Sequence, residues 1–234
     1  MNDFEAIYEQ IIADPRYKAN ILYGKPRRGH AEGTVKAHIA DLEVNLTEMV
    51  VQALVEFDSE RYWKLKILIH VHDSFKMEAK RDSAILDPKS HASIAREYLA
   101  ELTDDPDLLN ITQWHDIGYA VFKKAEKQPE QPEHAFMSGP VTTLTQRMCL
   151  RCHALEASLD ANEPCYDSHK LIRALSSIQD LDLFLLFAII DACTPSKGRK
   201  AIRWVVNQVA KRYPHTTIRD EHVLSGGPVE EGVW

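Results

Sequence analysis

Eight consecutive apolar residues, Leu183-Phe184-Leu185-Leu186-Phe187-Ala188-Ile189-Ile190, run directly into Asp191. A helix built from such a run is apolar on every face, so other elements must enclose it. A bilayer span needs about 20 apolar residues, and no stretch of the chain reaches that length. The enclosure is therefore expected to be protein. The carboxylate that ends the run is costly to bury unless a cation compensates it. That cation is either a metal ion or a basic side chain, and Lys197, Arg199 and Lys200 follow closely enough to supply one.

The rest of the chain is patterned for helices to surround this one. Phe4, Ile7, Tyr8, Ile11 and Ile12 predict a helix over 4–13, ended by Asp14-Pro15. A basic loop follows, from Tyr23 to His30. Gly33-Thr34 starts a long helix over 34–56, with Ile39, Leu42, Leu46, Met49 and Val50 on its apolar stripe. Further helices are expected over 61–75, 89–102, 105–115, 136–158, 167–178, 180–193 and 199–212. Residues 125–135, rich in Pro, Glu and Gln, read as a surface loop or linker. No run alternates as a strand would, and no repeat of 20–50 residues appears. The expectation is an all-α bundle of about eight to ten helices. Residues 1–220 form one domain, 125–170 read as an insertion or subdomain, and 221–234 as a flexible tail.

With 44% hydrophobic and 27% charged residues, the chain can fill a core of this kind. A net charge of -7 repels a phosphate backbone, so nucleic acid is not an expected partner. A local basic pocket for a small anion remains compatible with it. The acidic N-terminus does not resemble a secretory signal, and a cytoplasmic protein without membrane contact is expected. Its four cysteines then read as thiols or metal ligands rather than disulfides.

Histidines and aspartates fall in the order His38, His72-Asp73, His91, His115, Asp191. Singly each has an ordinary reading. His38, one turn before Leu42, can be a satisfied core histidine. His91 can be a first-turn polar residue after Pro88, and His115 a helix-end cation. Together they supply the imidazoles and carboxylates that a pair of hydrolytic or redox metal ions requires, a carboxylate bridging the two. His72-Asp73 lies in a segment apolar on most faces, where a carboxylate again needs a cation.

In these positions the sequence resembles the HD-domain superfamily of metal-dependent phosphohydrolases. His38, His72, Asp73 and Asp191 look like its core set, and His91 and His115 like the extra histidines of its dinuclear branch. The resemblance spans roughly 30–200 and implies an HD-like helical bundle with the metals in its core. It implies that Asp73 bridges two divalent transition ions (Fe, Mn, Co, Ni or Zn). His38, His72 and Asp191 complete one ion's ligands, and His91 and His115 bind the other. A hydroxide between the ions would attack the phosphorus of a small phosphate ester or nucleotide. Lys76, three residues after Asp73, would offset charge on the phosphoryl oxygens, or is a solvated helix-end lysine. Arg27, Arg28 and His30 before the His38 helix, and Lys197 and Arg199 after Asp191, are further candidate phosphate contacts. Asp116 is either an outer-shell acceptor or simply exposed. Ser74-Phe75 replaces the Ile-Gly of the commonest HD-I-G-K form, so Phe75 is expected to alter the pocket. No GYP element follows His115, so a cyclic-dinucleotide phosphodiesterase is not expected.

The same ligand pattern resembles the diiron HD oxygenases that cleave a C–C or C–P bond, and this alternative stays open. So does a non-catalytic regulatory ligand-binding domain. A homodimer is compatible with either. Cys149-Leu150-Arg151-Cys152-His153 matches a haem-attachment string, but no export signal accompanies it. Cys149, Cys152, Cys165 and His169 have spacing admissible for structural zinc, and equally read as core cysteines on a helix face.

Overall fold

A computed structural model of the chain describes residues 3–27, 31–126, 147–148, 155–156, 171 and 174–225. Among these the architecture is helical. The helices are α1 (Phe4–Ala13), α2 (Pro15–Asn20), α3 (Val35–Val51), α4 (Glu60–Val71), α5 (His91–Ala100), α6 (Pro106–Trp114), α7 (Ile117–Glu126), α8 (Leu181–Ala192) and α9 (Lys200–Arg212). No described helix is long and apolar enough to cross a membrane.

Local chemistry sets the helix starts. Thr34, Ser59, Ser90, Asp105 and Asp180 stand at N-caps, each side chain accepting a hydrogen bond from a backbone N–H of the first turn. Asp14 both ends α1 and caps α2, whose first residue is Pro15. Proline suits that position because its missing N–H is not needed there. The Asp-Pro pair that ends one helix therefore starts another.

The run from Leu183 to Ile190 forms the middle of α8, with Leu183, Phe184, Leu185, Leu186, Phe187, Ile189 and Ile190 all buried. It packs against α3, α4 and α9. α4 in turn contacts α1, α3, α6 and α8, while α5 packs on α6 and α7 on α9. Carbon-rich faces from all these helices join one core around α4 and α8, as an all-round apolar helix demands.

Several boundaries differ from the periodicity. α3 ends at Val51, not 56, because Ala53 turns left-handed at φ 57°. Ala53 N–H then bonds the Val50 carbonyl at 3.0 Å and Leu54 N–H the Met49 carbonyl at 2.9 Å, a Schellman closure. α4 stops at Val71 and gives way to tight turns, Ser74 N–H to Val71 O at 3.1 Å and Lys76 N–H to Asp73 O at 3.2 Å. α7 continues the chain past His115, burying Ile117, Val121 and Phe122 before the expected linker. The helix expected over 136–158 is corrected at its described residues: Arg147–Met148 pairs antiparallel with Leu155–Glu156. Cys149, Cys152, Cys165 and His169 lie outside the described residues. The tail expected from 221 stays packed through Val223 and Leu224, both buried.

Candidate metal centre

Helix ends carry most of the ordered histidines and aspartates. His38 lies in the first turn of α3, and His91 is the first residue of α5. His72 and His115 are the C-caps of α4 and α6, and Asp191 is in the last turn of α8. At a helix terminus adjacent side chains no longer diverge by the helical angle. His72 and Asp73 thus both reach one place despite being neighbours.

Two groups of donors result. One holds His38, His72 and Asp191, the other Asp73, His91 and His115, and within each the ligand atoms lie within 4.8 Å of one another. Asp73 joins them with its two oxygens. Oδ2 stands 3.5 Å from His72 Nε2 and 4.0 Å from His38 Nε2. Oδ1 stands 3.5 Å from His91 Nε2 and 3.7 Å from His115 Nε2. Asp191 Oδ1 is 2.9 Å from His38 Nε2 and 3.8 Å from His72 Nε2.

Backbone contacts select the tautomers. His72 Nδ1 faces the carbonyls of Leu68 at 3.1 Å and Ile69 at 3.2 Å, and His115 Nδ1 faces that of Thr112 at 2.8 Å. A carbonyl only accepts, so each Nδ1 carries the proton, and in a neutral ring Nε2 presents a lone pair. His72 Nε2 is buried and makes no hydrogen bond. A buried lone pair without a donor is costly to leave unmade. Mixed imidazole and carboxylate donors around such an atom suit a metal ion, so these buried clusters can hold one.

Electrostatics agree with a site for cations. Burial disfavours charge on Asp73, yet Lys76 and His72 outweigh it and hold the carboxyl well below its usual range. Asp191 is likewise pushed up by burial and drawn further down by Lys197 and His38. Burial lowers the His72 pKa. It also opposes charge on His115, but Asp116 and Asp73 prevail and raise that pKa to about 9.

The candidate anion-binding residues separate. Lys76 Nζ lies against Asp73 Oδ2. Lys197 Nζ bonds Asp191 at its carbonyl, 3.0 Å, and at Oδ1, 3.1 Å. Both ammonium groups therefore stand at the donors. Arg199 does not: its guanidinium donates to the carbonyls of Ala192, Cys193, Thr194, Lys197 and Leu224 at 2.5–3.4 Å. It clamps the turn from α8 into α9. Arg27 is exposed on the loop before α3, and Arg28 and His30 lie outside the described residues. Phe75 is fully buried, its ring 4.8 Å from Tyr98 and 4.7 Å beneath the Arg16 guanidinium.

Three contributors have no periodic signature in the sequence. Glu32 Oε1 lies 3.5 Å from His38 Nδ1 with only 7% of its side chain exposed, which puts a carboxylate beside the ring's far nitrogen. Asn45 donates from Nδ2 to the Ile190 carbonyl at 2.8 Å, fixing α3 against the end of α8 beside Asp191. Asp116 Oδ2 reaches 3.2 Å from His91 Nε2 and 3.5 Å from His115 Nε2. The second His-Asp pair in the chain was the only available hint of the last. No protein-family model, curated protein or solved structure matches this chain.

Proposed function

We propose that the chain is an HD-like, dinuclear metal-dependent phosphohydrolase acting on a small phosphate ester or nucleotide. The observation that carries this reading is Asp73, whose two carboxylate oxygens face separate donor groups. A single ion would leave one of those groups without purpose. His38, His72 and Asp191 would hold one ion and His91 and His115 the other, with Asp73 between. Divalent transition ions, when bound, supply Lewis acidity that activates water and polarises phosphoryl oxygens.

The chain's own residues do the rest. The Leu68 and Thr112 carbonyls orient His72 and His115 through their Nδ1 atoms, and the Glu32 carboxylate stands 3.5 Å from Nδ1 of His38. Phe187, with its ring 5.2 Å from that of His72, walls the buried side against water. Lys76 and Lys197 lend positive charge at two edges of the donor group, where anionic oxygens of a phosphorylated substrate are stabilised.

Metal analysis combined with a phosphate-release screen tests the proposal. Protein purified without chelating tags should carry two equivalents of a transition metal and lose about one on His91→Ala. Phosphate release from a panel of phosphate esters should vanish in Asp73→Ala. Stoichiometric iron with oxygen uptake and no phosphate release would sink the hydrolase reading and favour the diiron oxygenase. Asp73→Ala protein that kept both metals and activity would refute the centre itself.

A further inference from the structure

We infer that Asp116 is a direct ligand of the second ion, completing a set of two imidazoles and two carboxylates with Asp73, His91 and His115. The inference rests on the two-ion reading above. Its ground is which ring nitrogen the carboxylate faces. An outer-shell carboxylate accepts from the nitrogen of a histidine that does not bind metal. In His115 that nitrogen is Nδ1, and the Thr112 carbonyl already occupies it at 2.8 Å. Asp116 Oδ2 faces Nε2 instead, at 3.5 Å, and Nε2 of His91 at 3.2 Å. These are the same two atoms that face Asp73 Oδ1, at 3.7 Å and 3.5 Å. The two Nε2 atoms are themselves 3.1 Å apart. Asp73 Oδ1 and Asp116 Oδ2 thus each lie within 3.7 Å of the same two nitrogens.

The backbone explains how neighbours can share an ion. His115 is the C-cap of α6 and Asp116 lies in the break before α7, just as His72 caps α4 and Asp73 lies in the turns beyond. Each His-Asp pair delivers both side chains inward from a helix end. The two carboxylates differ in exposure: the Asp73 side chain is 7% exposed and that of Asp116 46%. Asp116 therefore closes the second position from the solvent side. A second carboxylate there cancels a further unit of positive charge and shifts preference toward oxygen-favouring ions such as Mn2+.

Titration of metal-free protein with Mn2+, followed by calorimetry, tests the assignment in Asp116→Asn, Asp116→Ala and Asp116→Glu beside His91→Ala and wild type. The expected result is a first equivalent unchanged and a second weakened at least tenfold in the Ala variant. The Asn variant should fall between, and Glu should restore most of the loss. The visible spectrum of the Co2+-loaded protein should change for only half of the bound cobalt. Thermal unfolding of the metal-free variants measures separately what Asp116 contributes through its contacts with His91 and His115. If Asp116→Ala binds the second equivalent as wild type does while His91→Ala loses it, Asp116 is not a ligand and the two-ion reading survives. If wild type takes up fewer than two equivalents, both fall together.

Discussion

Replacing Glu43 with glutamine should unfasten the packing of four helices behind the metal centre. Glu43, on α3, accepts from Lys66 Nζ at 2.8 Å and His70 Nε2 at 2.9 Å, both on α4. A carboxylate can only accept, so His70 Nε2 carries the proton and Nδ1 accepts from the Tyr17 hydroxyl of α2, 2.5 Å away. Lys66 also lies 4.7 Å from the centre of the Tyr8 ring on α1. A glutamine has one acceptor oxygen, so either His70 or Lys66 faces an NH2 donor instead. The loss of one charge-assisted hydrogen bond, with a partly buried ammonium left unpaired, amounts to about 2–3 kcal/mol. At roughly 2–4 °C per kcal/mol for a chain of this size, Tm should fall by about 4–12 °C. Thermal and urea unfolding of the metal-free protein at neutral pH measures this.

The pH dependence of the same pair sharpens the test. Burial raises the Glu43 pKa, but the hydrogen bonds from His70 and Lys66 bring it below the ordinary 4.5. A carboxyl whose folded pKa is depressed stabilises the protein fully above its unfolded value and loses that contribution as pH falls through the folded one. The gap between wild type and Glu43→Gln should hold down to about pH 5 and close below it. A gap under about 0.5 kcal/mol at neutral pH, or one that persists undiminished near pH 3, would refute the account.

Two further outcomes are expected. Glu32→Ala should weaken the ion held by His38 about 10–100-fold, because the ring loses the carboxylate beside its far nitrogen, and Glu32→Gln should lose less; calorimetric titration that found unchanged affinity would remove Glu32 from the centre. Phe187→Ala should cost about 3–5 kcal/mol in urea unfolding, since Phe187 is 1% exposed and packs against His72; a loss below about 1 kcal/mol would show that the core around α8 collapses into the space.

Much of this arrangement was legible in the chain because burial leaves a periodic trace. The run from Leu183 to Ile190 announced a helix enclosed on all sides, and α8 is that helix. The boundaries were less legible, for each depended on a single backbone event. Ala53 turning left-handed shortened α3, and Pro15 served as the first residue of a new helix rather than as a stop alone. Basic side chains carry no periodic trace either. Lys197 and Arg199 are two residues apart, yet one ammonium meets Asp191 while the other's guanidinium is consumed by five carbonyls.

By itself the sequence determined which residue types could meet: imidazoles and carboxylates set in apolar helices, where only a cation makes their burial tolerable. Only the tertiary structure decided which atoms meet. Asp73 turns one oxygen to each donor group, Glu32 comes from a loop to the far nitrogen of His38, and Asp116 faces the near nitrogens of His91 and His115. Periodicity encodes the face of a helix that is buried. The direction of a side chain at a helix end is set by how the chain leaves that helix and by the angle at which its neighbours cross, and neither is written in the local order of residues.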